Sequence, residues 1–237
     1  MIAADEMPAT RLDRTLAGAN PWEIVAQARR IIEPGRLAVV SSFGTESAAL
    51  LKVVADVDPT IPTLFVDTGW LFEETIAYRD QLAAALKLQD VRVITASPQM
   101  LDSRDPGSDL WFTEPEACCQ LRKVEPLMRA LATFDGWING RKRYHGGERA
   151  HLPIVEADGH RIKFNPLART TAADVERIIA EAGLPRHPLL RRGFASVGCM
   201  PCTSRTRPGE AVRAGRWRDR DQTECGIHSA LCRPVVS

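Results

Sequence analysis

The chain contains cysteines in a pattern that favours metal binding and thiol catalysis over a purely structural role. The six are Cys118, Cys119, Cys199, Cys202, Cys225 and Cys232. A doublet and a C-x-x-C pair together supply four thiolates, the number that completes a tetrahedral metal site or holds an iron–sulfur cluster. Cys225 lies within Glu-Cys-Gly-Ile-His near the end of the chain, where a nucleophile is more useful than a ligand. Cys232 receives no role.

The two cysteine pairs admit several interpretations. Zinc uses the same four ligands, and spacing alone does not separate it from an iron–sulfur cluster. A redox disulfide in Cys199-Met-Pro-Cys202 is less favoured, because the strand-then-helix context of a thioredoxin-like motif is missing. Cys118 and Cys119 are also compatible with small buried hydrophobic positions on a helix, since successive side chains diverge. Lys123 follows Cys119 by one helical turn and so shares its face.

A second motif predicts an anion-binding loop. Residues 41–47 read Ser-Ser-Phe-Gly-Thr-Glu-Ser and stand between a predicted strand and a predicted helix. Small residues there let backbone N–H groups approach an oxyanion, and the helix N-terminus adds partial positive charge. Ser42, Thr45 and Ser47 add hydroxyl donors. The loop lacks the second glycine and the lysine of a Walker loop, and an ordinary capped helix remains the alternative interpretation.

Composition limits the partners of the protein. With 237 residues, 44% of them hydrophobic, the chain can form one full core, and its net charge of +1 argues against a nucleic-acid partner. Basic residues cluster at 141–143 and at 205–220, which suits a small polyanion, although a solvated basic face is an equal alternative. We find no apolar signal region or membrane-spanning run, so we expect a cytoplasmic protein without a membrane partner. In that reducing compartment cysteines favour metal binding or catalysis.

Hydrophobic periodicity predicts an α/β fold with a parallel sheet. The predicted strands are 37–42, 63–67, 91–95 and 136–139, and the predicted helices are 21–32, 47–57, 73–88, 118–131 and one opening at a Thr171 capping box. Residues 102–115 are expected to form a loop with a turn at 105–108. We divide the chain into a weakly ordered leader (1–20), one domain (21–204) and a mobile C-terminal tail (205–237) carrying Cys225.

These motifs together resemble the adenylyl-sulfate and phosphoadenylyl-sulfate reductases, over roughly residues 20 to 232. The loop 42–47 is similar to the modified PP-loop of that family, and Asp67-Thr-Gly-Trp-Leu-Phe-Glu-Glu-Thr75 is similar to its second-strand motif. The remaining matching segments, in the family's order, are Cys118-Cys-Gln-Leu-Arg-Lys-Val-Glu-Pro-Leu127, Gly198-Cys-Met-Pro-Cys-Thr203, Ala214-Gly-Arg-Trp217 and Glu224-Cys-Gly-Ile-His228.

The resemblance implies a PP-loop domain of the adenine nucleotide alpha hydrolase-like type. It also implies a [4Fe-4S] cluster on the four paired cysteines, adenylyl sulfate as substrate, and Cys225 as the nucleophile that receives the sulfonate. Thioredoxin or glutaredoxin would be the reductant, and a homo-oligomer is compatible with this assignment. The implied substrate-binding residues are Ser42, Phe43, Gly44, Thr45, Glu46, Ser47, Asp67, Thr68, Lys123, Gly140, Arg141, Arg143, Arg149, Arg213, Arg216 and His228.

The basic stretch departs from the family pattern. Many members read Gly-Leu-Arg-Arg, then Gln-Ser and a further arginine, whereas residues 140–149 read Gly-Arg-Lys-Arg-Tyr-His-Gly-Gly-Glu-Arg. The additional cation leaves a phosphoadenylyl-sulfate or dual-specificity reductase open. A PP-loop enzyme that uses ATP, such as a tRNA thiolase, is disfavoured by Phe43 and Glu46. A zinc-binding nucleic-acid module is disfavoured by the net charge of +1.

Overall fold

The computed structural model of the protein describes residues 8–218, 220, 224 and 226–228, so Cys225 and Cys232 lie outside the described residues. The helices are α1 (Pro8–Thr15), α2 (Pro21–Ile31), α3 (Ser47–Val57), α4 (Glu73–Leu86), α5 (Pro98–Arg104), α6 (Leu110–Thr113), α7 (Pro115–Cys119), α8 (Glu125–Leu131) and α9 (Ala172–Glu181). The strands are β1 (Leu37–Val40), β2 (Thr63–Val66), β3 (Val91–Ile94), β4 (Gly136–Ile138), β5 (Val155–Asp158) and β6 (Arg161–Phe164). None of the helices in these ranges is long and apolar enough to cross a membrane.

The strands form one sheet in the order β3-β2-β1-β4-β6-β5. All neighbours are parallel except β5 and β6, which pair antiparallel. The α/β fold with a mostly parallel sheet is therefore confirmed. The chain leaves β1 toward β2 and later returns to the other side of β1 as β4. Loops after β1 and β4 consequently diverge, which opens a crevice at the carboxyl ends of these strands.

Apolar side chains alternate between the two faces of the sheet. In β1, Leu37 and Val39 join the core formed with α2, α3, α4 and α9, while Ala38 joins a smaller core beneath α8. Helices thus cover both faces, as a buried parallel sheet requires. This explains why the short strands read as continuous apolar runs rather than as an alternating pattern.

The hairpin of β5 and β6 was not predicted from the sequence. Asp158 pairs with Arg161 across a turn in which Gly159 has a φ of +64°, a conformation that glycine adopts without strain. Glycine at the first position of a two-residue loop is a recognised hairpin signal. It was overlooked because charged residues interrupt the apolar pattern in both strands.

The described part of the expected leader contains a helix, Pro8–Thr15. Ala9 and Leu16 are buried in the main core. The Asp13 carboxylate accepts hydrogen bonds from the backbone N–H groups of Ile154 and Val155, at 2.6 and 3.0 Å. Long-range contacts with the sheet edge therefore stabilise a helix whose charged sequence gave no such indication.

One other segment is more regular than predicted, and a further one packs on the domain. The expected loop at 102–115 contains the end of α5 and all of α6, although its turn is present, with the Ser108 N–H donating to the Asp105 carbonyl at 2.9 Å. Downstream, His187 is fully buried and bonds Thr75 at 3.0 Å, so this part of the chain packs on α4. Thr203 pairs with Arg216 in an antiparallel bridge. Mobility of residues 205–237 stays a prediction.

Candidate functional site

A cleft opens at the carboxyl ends of β1, β2 and β4, where the sheet topology predicts a ligand site. The loops after these three strands form its walls. Further lining residues are the segment 196–199 and Arg213, Arg216, Trp217, Glu224, Ile227 and His228. The predicted substrate-binding residues that line it are Ser42, Gly44, Thr45, Glu46, Ser47, Thr68, Lys123, Gly140, Arg141, Arg149, Arg213, Arg216 and His228.

The anion loop connects β1 to the N-terminus of α3. The Gly44 N–H donates to the Ser47 hydroxyl at 2.9 Å, and the Thr45 hydroxyl donates to the Ala195 carbonyl at 2.7 Å. Ser42 is exposed toward the cleft. Phe43 has a φ of +47° and is fully buried, with its ring edge-on to Phe65. Its side chain therefore fixes the loop to the core and does not enter the cleft.

Glu46 organises two basic residues that the sequence did not identify as a pair. Its carboxylate accepts hydrogen bonds from Lys142 Nζ at 2.9 Å and interacts with His145 Nε2 at 3.0 Å. Burial alone would raise the pKa of Glu46, but the His145 hydrogen bond and the Lys142 charge bring it well below its usual range. Burial lowers the pKa of both Lys142 and His145, and Glu46 opposes that effect. A charged network thus underlies the anion loop.

Two of the predicted polar residues make contacts elsewhere. Asp67 accepts a hydrogen bond from the Gly69 N–H at 2.9 Å and does not line the cleft. Arg143 also stays outside it and donates to the Leu152 carbonyl at 2.8 Å. Arg141 lines the cleft but forms an ion pair with Glu156 on β5.

Arg149 and Arg213 converge on Glu224. Arg149 is 8% exposed and makes a two-pronged contact with the carboxylate, with Nη2 to Oε2 at 2.7 Å. Arg213 Nη2 lies 3.4 Å from the same oxygen. Burial favours a higher pKa for Glu224, and the two arginines override it, so that the pKa is lowered. The positive charge of the arginines offsets the negative charge that Glu224 places next to position 225.

Arg216 is fixed by backbone carbonyls and an aromatic ring. It donates to the carbonyls of Val197 and Cys202, and its guanidinium lies 4.4 Å from the centre of the Trp217 ring. Gly198 makes this arrangement possible, because a Cβ there would lie 2.2 Å from Arg216 Nη2. The absence of a side chain at Gly198, just before the C-x-x-C pair, therefore leaves room for the Arg216 guanidinium.

His228 lines the cleft beside β4. Its ring stacks on Trp137 with centroids 5.7 Å apart and an interplanar angle of 9°. Burial, together with nearby cations including Lys163 and Arg141, holds the pKa of His228 well below its usual range. Its Nδ1 atom is buried and has no hydrogen-bond partner among the described residues. A neutral imidazole here can offer a hydrogen bond to a ligand.

The four paired cysteines line a second, small cavity. No disulfide joins them. A π-helix at Gln120–Val124 follows Cys119 directly and widens the helix, with the Glu125 N–H donating to the Gln120 carbonyl. The widened turn changes the rotation between the cysteine doublet and the rest of the helix.

Cationic groups surround this cysteine cavity. Burial, then the neighbouring thiols of Cys119 and Cys199, raises the pKa of Cys118 to about 12. For Cys199 burial acts in the same direction, yet the Lys123 ammonium and a hydrogen bond with Thr68 at 3.2 Å bring its pKa below the ordinary value. Arg220 Nη1 lies 3.8 Å from Cys202 Sγ.

The cysteine side chains fit a thiophilic metal or cluster by donor type. Four sulfurs without carboxylate or imidazole suit zinc or iron–sulfur, and nearby cations offset the negative charge of a thiolate complex. In the described geometry, however, no three His, Cys, Asp or Glu side chains are arranged to hold a metal ion.

Comparisons with known proteins agree with this arrangement. A family profile described as "Phosphoadenosine phosphosulfate reductase domain" matches residues 36–205. A Chelativorans sp. protein named adenosine 5'-phosphosulfate reductase is 46% identical, covering 94% of this chain and 91% of the relative. A Streptomyces coelicolor protein of the same name is 40% identical, with 93% of each chain covered. A Gloeobacter violaceus protein named phosphoadenosine 5'-phosphosulfate reductase is 37% identical, with coverages of 97% and 100%.

Solved structures share the fold. Phosphoadenylyl-sulfate reductase from Candida auris, in a phosphate complex, aligns with a TM-score of 0.68 at 24% identity, covering 84% of this chain and 97% of that one. Candida glabrata FMN adenylyltransferase, with FAD and pyrophosphate, aligns with a TM-score of 0.57 at 14% identity, with coverages of 86% and 70%. These likenesses support the expected PP-loop-type fold. The profile match and the identities of the curated relatives together show that the chain belongs to the phosphoadenosine phosphosulfate reductase family.

Proposed function

We propose that the protein reduces adenylyl sulfate to sulfite and AMP, with an external dithiol as electron donor. The observation that carries this proposal is the wall shared by the two cavities: Thr68, Lys123 and Cys199 line both. A nucleotide phosphate on the anion loop would bring the attached sulfate toward this cationic wall. The relatives named adenosine 5'-phosphosulfate reductase support the choice of substrate.

The AMP part of the substrate would bind at the loop 42–47. The N-terminus of α3 begins at Ser47 and directs its partial positive charge toward the loop. Lys123 and Arg216 would bind the sulfate, since both line the cleft. His228 also lines the cleft and would contact the substrate there.

We assign Cys118, Cys119, Cys199 and Cys202 as ligands of a [4Fe-4S] cluster, with zinc as the alternative. When bound, the cluster supplies a fixed charge beside Lys123 and needs no change of redox state, because the dithiol provides both electrons. Lys123 can then contact substrate and cluster site together, since it lines both cavities. A visible spectrum distinguishes the cluster from zinc, because thiolate-bound iron absorbs at about 400 nm and zinc does not.

Cys225 would supply the nucleophile. Its thiolate attacks the sulfate sulfur, the bond from sulfur to the bridging phosphate oxygen breaks, and AMP departs with that electron pair, leaving S-sulfocysteine. A thiolate of thioredoxin or glutaredoxin then attacks the Cys225 sulfur and expels sulfite. The second thiol resolves the mixed disulfide, so the dithiol loses two electrons and Cys225 is regenerated. The predicted mobility of residues 205–237 would carry the intermediate to the reductant, in the cytoplasm where thiols stay reduced.

The testing experiment is sulfite release by anaerobically purified protein with thioredoxin. Cys225→Ser is expected to abolish sulfite release and the S-sulfonate adduct seen by mass spectrometry. Its absorbance at about 400 nm is expected to be retained. Cys232→Ser is the matched control and is expected to retain activity. Sulfite production by Cys225→Ser would disprove the assignment of the nucleophile, and loss of colour would mean that Cys225 has a structural role.

A second candidate is a phosphoadenylyl-sulfate or dual-specificity reductase. Arg141 occupies the position where the family pattern has leucine, and it lines the cleft. Its guanidinium can donate hydrogen bonds to a 3′-phosphate. The Gloeobacter violaceus relative with that substrate in its name favours the same candidate. Comparable sulfite release from adenylyl sulfate and phosphoadenylyl sulfate would support dual specificity. A strong preference for adenylyl sulfate would reject it.

A further inference from the structure

Glu224 is a mostly buried carboxylate in a cleft that is lined by several cationic side chains. Its side chain is 12% exposed, and it receives both prongs of the Arg149 guanidinium. Bidentate pairing of arginine with a carboxylate fixes orientation as well as distance, which a single contact does not. Glu224 is therefore held in one place relative to the strand-end loops.

The same arginine connects Glu224 to the anion loop. Arg149 Nη1 lies 3.2 Å from His145 Nδ1, and His145 Nε2 lies 3.0 Å from the Glu46 carboxylate. Glu46 is the residue immediately before α3. A continuous set of hydrogen bonds thus runs from the C-terminal segment to the loop, and all four residues line one cleft.

We propose that Glu224 is a positioning residue that seats the C-terminal segment in the cleft through Arg149. Consecutive Cα atoms are about 3.8 Å apart, so holding Glu224 limits how far the next residue along the chain can move away from it. The proposal rests on the proposed function only in taking Cys225 as the nucleophile. It gives Arg149 the task of holding the segment rather than the substrate.

The hydrogen-bonding of Arg149 favours anchoring over competition with substrate. Its Nε and Nη2 atoms bind Glu224, and its Nη1 contacts His145. If Glu224 instead occupied the place of a substrate anion, removing its charge would strengthen nucleotide binding. If it is an anchor, nucleotide affinity stays the same and only delivery of the thiol suffers.

The test measures how fast iodoacetamide alkylates Cys225 in the full-length, anaerobically purified protein. Peptide mass spectrometry follows Cys225, with Cys232 as internal reference, between about pH 6 and pH 10. Because Glu224→Gln breaks the ion pair with Arg149, it is expected to raise the alkylation rate of Cys225 at the high-pH plateau about tenfold. A tenfold change corresponds to the loss of one charged hydrogen bond. A purely electrostatic influence of Glu224 on the thiol would move the midpoint of the pH curve and leave the plateau unchanged, which would overturn the proposal.

Matched variants complete the design. Glu210→Gln removes a carboxylate that pairs with Arg218 in the same segment but does not line the cleft, so its plateau is expected to match the wild type. Glu224→Asp, which keeps the charge, is expected to restore most of the protection. In an Arg149→Gln background, Glu224→Gln is expected to add less than about a twofold change, because the pair is already broken. Independent effects of the two substitutions would contradict the pairing.

Nucleotide binding and single-turnover chemistry supply the last readouts. For Glu224→Gln, the Kd for AMP is expected to stay within about twofold, while S-sulfocysteine formation slows about tenfold. Tighter AMP binding would show that Glu224 competes with the ligand and would refute the anchor. Alkylation requires no sulfonucleotide chemistry, so an inactive protein that still shows the plateau effect would reject the proposed function and keep this inference.

Discussion

At the scale of single residues, Glu46 is the acidic group whose removal we expect to be most informative. Lys142 and His145, both mostly buried, face its carboxylate. Glu46→Gln keeps the shape and removes the charge, so a buried ammonium loses its counter-ion. We expect a loss of about 2 kcal/mol in the free energy of unfolding at neutral pH, measured by urea denaturation. Glu176→Gln, in an exposed pair with Arg186, is the control and should cost less than about 0.5 kcal/mol.

The same substitution predicts a pH dependence with a defined sign. In the folded protein the pKa of Glu46 lies well below its ordinary value of 4.5. The carboxylate therefore stabilises the fold fully above about pH 4.5, and the effect is lost as the pH falls toward the folded pKa. The difference between wild type and Glu46→Gln should be constant near neutrality and shrink below about pH 4. A difference that grows in acid would contradict this pairing.

At the scale of elements, a buried ion pair holds the cysteine-bearing helix against the loop after α5. Arg122, in the π-helix, contacts Asp105 at 2.6 Å and donates to the Thr68 carbonyl at 3.0 Å. The Asp105 side chain is fully buried. Asp105→Asn should cost about 3 kcal/mol of unfolding free energy, since it leaves a buried guanidinium without its counter-ion.

A neighbouring exposed pair provides the control for this prediction. Arg104 contacts Glu125 at 2.7 Å with 44% and 25% of the two side chains exposed, and it joins α5 to α8. Glu125→Gln should change the unfolding free energy by less than about 0.5 kcal/mol. Equal effects of Asp105→Asn and Glu125→Gln in urea denaturation would mean that burial does not determine the strength of these contacts.

Local signals predicted the elements well where a local cause determines them. The Thr171 hydroxyl accepts from the Asp174 N–H at 3.1 Å, so the capping box predicted for α9 is present. The four predicted strands match, and three of them, β1, β2 and β4, are short apolar runs that are largely buried in the sheet. The π-helix was not predicted, because its cause lies in packing around the cysteines rather than in the intrinsic preferences of its residues.

The candidate site was predicted only as far as its motifs reach. Most of the predicted substrate-binding residues line one cleft, because the motifs follow strand ends. The Glu46–Lys142 contact spans 96 positions and the Arg149–Glu224 contact spans 75, so no local pattern reveals either pair. Phe43 belongs to the loop motif, but its apolar ring is buried in the core, which the motif alone does not indicate.

At the scale of the whole molecule, the sheet has two edges of different character. β3 closes one edge and β5 the other, in a sheet that is otherwise parallel. An exposed strand edge invites pairing with another chain, so native folds cover or interrupt it. Here α1 packs against β5, and the Asp13 carboxylate accepts hydrogen bonds from two backbone N–H groups where that strand begins.

Asp13→Ala therefore tests whether α1 protects the sheet. The substitution leaves the N–H groups of Ile154 and Val155 without their acceptor, which should cost about 2 kcal/mol of unfolding free energy. Loosening of α1 also uncovers the β5 edge, so we expect concentration-dependent self-association by light scattering. Arg11→Ala alters an exposed position on the same helix and should change neither property. If the two variants behave alike, α1 is a passive addition to the core; if only Asp13→Ala associates, the N-terminal helix keeps the sheet, and the cleft built on its strand ends, closed to other chains.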